Sequence, residues 1–275
     1  MEQLYNILRT TKVKNRKQIT DAIEHNLRLR VQENIDPKRT PDNIVLLNAL
    51  GADLNDASDF QKKLSAHYVS LGVKEKKDNV LLMEFVVSAT PDFFLTKTKA
   101  QVDQWVKDQV DFFKEEFDGQ LKMAVLHRDE TSPHLHFMIG TELKSVKKYK
   151  NRYGVTNKEC WSLNADRYNP EFLRGLHDRH AIKNKKHGLK RGVKGSMRKH
   201  TELKEFYDIV DKALDTDYQR QIENTIESLE TGLISKKVSI DEVRKKFAPM
   251  LNTLLKQNKA LKAKFALDIK QWATE

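Results

Sequence analysis

The stretch from His127 to His136 constrains the fold more than any other part of this sequence. Apolar runs at residues 120–126 and 137–141 flank it, and both have the length and composition of β-strands. Between them, Asp129 and Pro133 supply turn chemistry, because Asp bonds nearby backbone groups and Pro fixes its own φ angle. The sequence therefore predicts two adjacent antiparallel strands joined by a short turn.

Three histidines of this stretch can converge on one point. Successive side chains of a strand alternate between its faces, so His134 and His136 project together, and a closed hairpin brings His127 beside them. Three neutral imidazoles on rigid strands, with one coordination position open, are typical of a catalytic divalent-metal site. A lone His-X-His pair is common on strands. The third histidine and the carboxylates of Asp129 and Glu130 favour the metal-site interpretation.

The composition of the chain favours a polyanionic partner. The formal net charge is +11 over 275 residues, and 32% of the residues are charged. This bias indicates nucleic acid, or less readily an anionic membrane surface, and the alternative is a lysine-rich surface without a partner. The single cysteine, Cys160, excludes an intramolecular disulfide and a cysteine-based zinc finger. No apolar run is long enough for a membrane span, so we expect a soluble, intracellular protein.

The other predicted elements complete an α+β pattern. Strands are predicted at residues 4–9 and 80–87, the second of them central in its sheet. Residues 44–76 are predicted to be mainly helical, and an amphipathic helix is predicted over residues 102–117. We expect the aromatic side chains of that second helix to lie in the core rather than to stack on bases. This order of elements favours an α+β fold with an antiparallel β-sheet covered by helices on one face.

A helix predicted over residues 18–32 presents His25. Ile19 and Ile23 belong to an apolar stripe, whereas His25 and Arg28 lie on the opposite, polar face. Taken alone, His25 is an incidental exposed histidine.

Three segments carry groups that suit DNA. Residues 34–43 form a turn-rich loop, either a plain surface loop or one whose Asn, Arg and Thr side chains contact phosphate and sugar. Residues 144–152 and 183–200 are basic, and glycines in the second cluster let the backbone approach a phosphate. Both clusters flank the histidine stretch, and this arrangement favours a nucleic-acid groove.

The end of the chain is predicted to be helical from residue 202, without a regular heptad. We expect a main domain of residues 1–208 and a helical C-terminal extension of residues 209–275. The extension is a candidate for packing on the domain or for forming a homodimer.

Four blocks of the sequence resemble, in the same order, the motifs of the Mob/Pre family, the MobV-type plasmid mobilisation relaxases of the HUH endonuclease superfamily. The resemblance covers roughly residues 4–208. The blocks are Ile7–Lys12, the segment His25–Arg28 with Asn34–Thr40 and Asn43, the stretch His127–His136, and Gly188–Ser196 with His200. Four blocks in order are a specific match.

The resemblance implies an activity and a set of partners. Relaxases of this family bind a plasmid's origin of transfer, as single strand and hairpin, and nick one strand. The enzyme stays joined to the 5′ phosphate and later rejoins the ends. A bacterial cytoplasmic location follows, with peripheral membrane association during transfer and a coupling protein of a conjugation system as partner.

Residue roles carry over position by position. His25 matches the proposed nucleophile and Glu130 a supporting acid, while His127, His134 and His136 match the metal ligands. The predicted DNA contacts are Asn26, Arg28, Arg39, Asn43, Lys148, Lys190, Arg191, Lys194, Ser196 and His200.

The implied chemistry suits these residues. A divalent cation on three imidazoles neutralises a phosphodiester oxygen, and imidazoles suit Mn²⁺ better than Mg²⁺. Asp129 or Glu130 is a candidate for orienting a ligating imidazole through its second nitrogen. Attack by neutral His25 gives a phosphoramidate, which keeps enough energy for rejoining without ATP.

Alternatives remain at this stage. Leu27 stands where many family members have an acidic or aromatic residue, so a tyrosine nucleophile, as in rolling-circle replication initiators, stays open. The candidates for it are Tyr5, Tyr149, Tyr153 and Tyr168. A non-catalytic DNA-binding protein would hold a closed, structural metal site. A cupin-like oxygenase also uses His-X-His on a strand, but it has no need of a basic chain.

Overall fold

The computed structural model describes residues 4–32, 35–152, 154–192, 209, 212–213, 218–229 and 239–272. The chain divides into two compact units, residues 1–194 and 195–275. The boundary expected at residue 208 stays a prediction. Three of the predicted DNA contacts, Lys194, Ser196 and His200, lie outside the described residues, as does Tyr153.

An antiparallel five-stranded sheet forms the centre of the first unit. Its strands are β1 (Asn6–Val13), β2 (Ile44–Asn48), β3 (Leu82–Ala89), β4 (Leu121–His127) and β5 (His134–Gly140). They are ordered β1-β3-β5-β4-β2, so β5 lies in the middle and β3 and β4 flank it. The α+β fold with an antiparallel sheet, and the hairpin of the histidine stretch, are confirmed.

Helices cover both faces of this sheet. They are α1 (Arg16–Asn26), α2 (Ala57–Ser70), α3 (Pro91–Thr96), α4 (Lys99–Glu116) and α5 (Pro170–Asn184). On one face, Phe137 of β5 stacks on Phe113 of α4 with ring centroids 3.9 Å apart. On the other, Met138 joins a core that includes Ile23 of α1 and Phe60 of α2. The prediction of helices on one face was wrong, because β4 and β5 carry buried apolar side chains on both faces, and each face needs helices to cover it.

Two local predictions also need correction. The helix expected over residues 18–32 ends at Asn26, and Arg28 adopts a left-handed conformation with φ of 57°. Residues 44–48 form the edge strand β2 instead of a helix. Its register shifts between Val45 and Leu47, so the pattern of alternation is broken. A short apolar run does not distinguish strand from helix by periodicity.

The basic segment at residues 144–152 belongs to a two-stranded ribbon that was not predicted. Its strands are β6 (Glu142–Asn151) and β7 (Gly154–Leu163), paired antiparallel. Most of its described side chains are exposed, so the ribbon lacks the apolar alternation that reveals a half-buried strand.

The second unit contains α6 (Tyr218–Glu227) and α7 (Ile240–Trp272) within its described residues. Both agree with the expected helical character. No helix in the described ranges combines the length and the apolar character that crossing a membrane requires.

Gly140, at the end of β5, allows a buried ion pair to form between Lys122 Nζ and Glu142 Oε1, 2.5 Å apart. A Cβ at Gly140 would overlap the Glu142 carboxylate and lie 2.8 Å from Lys122 Cε. We expect Gly140→Ala to lower the free energy of unfolding by about 2–4 kcal/mol, because the buried pair must separate or the strand must move. Chemical denaturation measures this difference.

Gly175→Ala in α5 is the matched control, because the added methyl group would meet only Nη1 of the Arg179 side chain, at 3.1 Å. In a helix interior the change stabilises by about 0.5–1 kcal/mol. Equal effects of the two substitutions would contradict the conclusion that the buried Lys122–Glu142 ion pair requires a glycine at position 140.

Candidate metal centre

Four imidazoles meet at one end of the sheet, on the face that α1 and α2 cover. His127 ends β4, and His134 and His136 begin β5, where His127 and His134 are paired in register. The last turn of α1 adds His25. One nitrogen from each of the four lies within 4.8 Å of the others, so this group, here called the histidine cluster, can hold a divalent metal ion.

The outer nitrogens of the three hairpin histidines all face acceptors. His127 Nε2 donates to the carbonyl of Asn26 at 2.9 Å, and His134 Nδ1 to the carbonyl of Ser132 at 3.0 Å. His136 Nδ1 donates to Glu84 Oε1 at 2.9 Å. An acceptor oxygen requires the N–H form at that nitrogen, so the opposite nitrogens carry lone pairs that point into the cluster.

The inner nitrogens fit a metal ion better than any protein partner. His127 Nδ1 and His134 Nε2 lie 3.3 Å apart, and neither has an N–H to donate in the tautomers just derived. His136 Nε2 is buried without a hydrogen-bond partner. A buried polar atom left without a partner costs free energy, whereas a cation at this point satisfies all three lone pairs.

Burial keeps His127 and His136 neutral. It lowers the pKa of His127 to about 2, with the neighbouring His136 acting in the same direction. Burial, followed by the charge of nearby His134, also lowers the pKa of His136 well below its ordinary value. Neutral imidazole is the form that binds metal.

His25 is oriented by a residue that the sequence interpretation had placed on the same helix. Its Nδ1 lies 2.6 Å from Oε1 of Gln32, a residue beyond the end of α1, so the N–H is at Nδ1 and the lone pair at Nε2. Its ring centroid lies 5.5 Å from that of His127 and 5.1 Å from that of His136. Burial and then Arg28 lower the pKa of His25, so its imidazole is neutral at neutral pH.

Arg28 connects the end of α1 to the hairpin turn. Its Nε and Nη2 bind the two oxygens of Asp129 at 3.0 and 2.7 Å, and Nη2 also binds Glu130 at 2.8 Å. Nη1 donates to the carbonyl of His25 at 3.1 Å. The guanidinium thus holds the backbone of His25 and the turn between the metal ligands in one arrangement.

Asp129 is the common acceptor of this network. Besides Arg28, it accepts from Asn43 at 2.7 Å and from Thr40 at 3.1 Å, which ties the loop before β2 to the turn. Burial works against its charge, but the hydrogen bonds from Arg28, Asn43 and Thr40 hold the pKa of Asp129 at about 2. The carboxylate is therefore ionised at all ordinary pH values.

These contacts revise several predicted DNA contacts. Arg28 is only 6% exposed, and its guanidinium is engaged by protein acceptors. Asn26 is buried, and Asn43 uses both ends of its amide, on Asp129 and on the backbone N–H of Arg128. As placed, the side chains of these three residues shape the site rather than reach for DNA.

The remaining predicted contacts lie nearer the surface. Arg39 is partly exposed, bound to Asp36 and to the carbonyl of Arg128. Lys148 is exposed on β6, and the side chain of Lys190 is exposed while its backbone pairs with Leu4 and Asn6. Arg191 forms an ion pair with Asp178.

The sequence interpretation gave the hairpin carboxylates two roles, support of the metal site and the orienting of a ligating imidazole. In the structure Glu130 is placed for the first role and Glu84 for the second. Glu130 Oε1 lies 3.7 Å from His134 Nε2, the nitrogen that faces the metal position. The acceptor for a ligand's outer nitrogen is Glu84, which the sequence interpretation missed. Its signal was a single acid within the apolar run of β3 (LMEFVVSA). Gln32 carried no comparable signal.

A cavity of about 360 Å³ opens onto His25 and His136. It lies between β1 and α1, and polar side chains, including those of Lys12, Gln18 and Arg30, line it. The histidine cluster is therefore accessible from one side, as a catalytic metal site requires.

The fold matches that of a relaxase domain of known structure. The MobM relaxase domain (MOBV; Mob_Pre), bound to oriT DNA of plasmid pMV158 in a Mn-bound crystal structure at pH 5.5, superimposes with a TM-score of 0.58 at 23% identity. The match covers 74% of this chain and 98% of that domain.

The chain belongs to the plasmid recombination enzyme (Mob_Pre) family, whose model matches residues 2–208. It is 28% identical over 211 residues to a plasmid recombination enzyme type 2 of Staphylococcus aureus, covering 76% of this chain and 43% of that protein. It is 26% identical over 217 residues to a 65 kDa protein of Zymomonas mobilis, covering 78% of this chain and 34% of that protein. The chain thus spans less than half the length of these relatives. The family resemblance is confirmed.

Metal binding is measurable without DNA. We expect Mn²⁺ to raise the melting temperature, by the equivalent of about 2.7 kcal/mol at a hundredfold excess over Kd. His136→Ala should abolish the shift, and Glu84→Gln should weaken Mn²⁺ binding about 10–100-fold, because His136 loses its anionic acceptor. His67→Ala, outside the cluster, is the control. A full shift in His136→Ala would refute the ligand assignment.

The Arg28–Asp129 contact predicts a pH-dependent stability. The pKa of Asp129 is about 2 in the folded protein and 3.8 for the free side chain. Its contribution to the free energy of unfolding is therefore complete when the pH is above 3.8 and is lost as the pH falls through about 2. Asp129→Asn should therefore cost about 2 kcal/mol at pH 7, and the gap to wild type should narrow below about pH 4.

Urea denaturation at several pH values measures this gap. Asp111→Asn, in an exposed pair with Lys107, is the control and should change stability by less than about 0.5 kcal/mol. A stability difference between wild type and Asp129→Asn that stays constant from neutral to strongly acidic pH would contradict the lowered pKa of Asp129.

Proposed function

We propose that this protein is a relaxase that nicks one strand at a plasmid's origin of transfer by metal-assisted transesterification, with His25 as nucleophile. The observation that carries the proposal is the position of His25, whose lone pair at Nε2 adjoins three imidazole lone pairs that fit a divalent metal ion. Family membership and the relaxase fold support the same activity.

The proposed roles follow from the contacts. His127, His134 and His136 hold the metal, which when bound polarises the scissile phosphodiester and neutralises its charge. His25 Nε2 attacks phosphorus in line, forming an N–P bond while the O3′–P bond breaks. The 5′ phosphate stays on the protein, and the 3′ oxygen leaves as an alkoxide that takes a proton from solvent water. The hydrogen bond to Gln32 Oε1 keeps the proton on His25 Nδ1 during the attack and stabilises the positive charge that develops on the ring.

Glu130 and Arg28 complete the proposed mechanism. Glu130 lies beside the ligating face of His134 and is held by Arg28. We assign Glu130 to the support of the metal and its water, and Arg28 to positioning His25 through its carbonyl. Mn²⁺ is the proposed ion, because an all-imidazole set suits it better than Mg²⁺.

The proposed DNA contacts are the exposed basic residues Arg39, Lys148 and Lys190, together with Arg191, which follows Lys190 in sequence. Their substrate is the origin as single strand and hairpin. Lys194, Ser196 and His200 stay predictions, as do the homodimer through the C-terminal helices, the coupling protein and a cytoplasmic location with transient membrane association.

Two of the tyrosine alternatives, Tyr168 and Tyr5, are less well placed than His25. The ring of Tyr168 packs on Phe117 and Phe172 in the core, and burial raises its pKa to about 12. Tyr5 precedes β1, which is separated from the central strand β5 by β3.

One observation favours a second candidate function. Four imidazoles within bonding range could close around a metal, which is the arrangement of a structural site in a non-catalytic DNA-binding protein. In that case His25 is a ligand, and its loss weakens metal binding as much as the loss of His136.

The test is nicking of a supercoiled plasmid that carries the cognate origin, with Mn²⁺, analysed with and without protease. Wild type should give relaxed circles with protein on the 5′ end, and His25→Ala should reduce nicking by at least about a thousandfold while Mn²⁺ still raises its melting temperature. His67→Ala should nick like wild type.

Other results would change the assignment. Undiminished nicking by His25→Ala moves the nucleophile to a tyrosine. Loss of Mn²⁺ binding in His25→Ala, together with no nicking by wild type, establishes the structural metal site instead.

A further inference from the structure

A second groove lies on the other side of the hairpin turn from the histidine cluster. It has a volume of about 300 Å³ and is lined by three cations, Lys97, Lys99 and Arg128, one carboxylate, Asp103, and apolar side chains that include Phe94. We call it the α3–α4 groove. The proposed mechanism uses none of these side chains.

The charge of the α3–α4 groove favours an anion. Arg128 Nη2 lies 2.6 Å from Asp103 Oδ1, so this pair fixes one wall and is nearly neutral. Among the described residues, Lys97 and Lys99 take part in no ion pair. Two ammonium groups without a carboxylate partner beside a concave surface suit the negative charge of a nucleic-acid backbone.

The position of Lys99 supports this interpretation independently. It is the first residue of α4, which follows the Thr98 cap, and the first turn of this helix contains no acidic residue. The helix dipole favours negative charge at this end, so a lysine here slightly destabilises the helix on its own. An external phosphate reverses that effect, because the lysine and the helix terminus then act on the same anion.

Phe94 gives the groove a rigid aromatic surface. Its ring packs edge-to-face on Phe93 and on Trp105, with centroid distances of 5.2 and 5.4 Å, and it remains partly exposed. A base can stack on such a ring only when it is not already stacked within a duplex. The combination of lysines and Phe94 therefore fits a single strand better than a double one.

The groove adjoins the metal centre through the hairpin. Arg128 directly follows His127, and Pro133 directly precedes His134, and both line the groove. Neighbouring Cα atoms are only about 3.8 Å apart, so a strand at the histidine cluster reaches the groove within a few nucleotides.

We propose that the α3–α4 groove binds one nucleotide of single-stranded DNA, with its phosphate on Lys97 and Lys99 and its base against Phe94. This inference rests on the proposed function, because the strand is the one presented to the histidine cluster. The groove anchors that strand on the far side of the hairpin turn and so fixes its direction across the metal site.

Binding of a fluorescein-labelled (dT) strand of about 15 nucleotides, without divalent metal, tests the proposal by anisotropy at several salt concentrations. The double variant Lys97→Gln/Lys99→Gln should weaken binding about tenfold at low salt and reduce the slope of log K against log salt by about 0.7, the value for the one phosphate that both lysines contact. Lys107→Gln/Lys114→Gln, on the same helix α4, makes the same charge change and should leave the slope nearly unchanged. Equal effects of the two double variants overturn the proposal.

Phe94→Leu tests the base contact. It should weaken binding of the (dT) strand about tenfold and leave binding of an abasic strand of equal length unchanged. An equal loss on both strands refutes stacking. Thermal unfolding of each variant checks that it folds, and the lysine variants keep the test valid if Phe94→Leu does not fold.

The design separates this proposal from the proposed function. Binding of the (dT) strand requires neither metal nor cleavage. Absence of nicking by wild type would refute the relaxase assignment and leave the groove measurement standing. Unchanged strand binding in the groove variants, with normal nicking by wild type, refutes only the proposal that the α3–α4 groove binds the strand.

Discussion

The buried contact of Arg28 with Asp129 and Glu130 is the interaction on which the site depends. A guanidinium and two carboxylates leave water only when geometry and hydrogen bonds offset the desolvation, and here Asn43 and Thr40 supply further donors. The contact joins three segments that are distant in sequence: the end of α1, the loop before β2 and the hairpin turn. The nucleophile candidate and the metal ligands come from different segments, so their relative position depends on this contact.

Much of this arrangement could be predicted from the sequence, because local patterns encode it. Alternation on two short strands predicted the convergence of His127, His134 and His136, and the turn residues predicted the hairpin. The helical period placed His25 on a polar face. What brings His25 to the hairpin histidines is the long-range contact of Arg28 with Asp129 and Glu130, and no local pattern contains it.

The residues predicted to bind DNA show the limit of motif reasoning most clearly. Asn26, Arg28 and Asn43 have side chains that suit phosphate and sugar, yet the fold directs them inward to Glu84 and Asp129. Residue type reports which hydrogen bonds a side chain can make, whereas burial decides which partner receives them. Glu84 is the converse case. An acid within an apolar strand indicates a buried polar role, but the partner of Glu84, His136, is defined only by the pairing of β3 with β5.

The central position of β5 has a consequence for how the protein meets its substrate. A strand bonded on both edges and covered on both faces exchanges its amide hydrogens only through near-global opening, so His134 and His136 belong to the slowest-exchanging part of the fold. The ribbon of β6 and β7 has an open outer edge on each strand and many exposed side chains, and it belongs to the opposite extreme. The proposed metal ligands therefore form a fixed template. In the proposed function, any adjustment on binding falls to the DNA and to the peripheral elements of the fold.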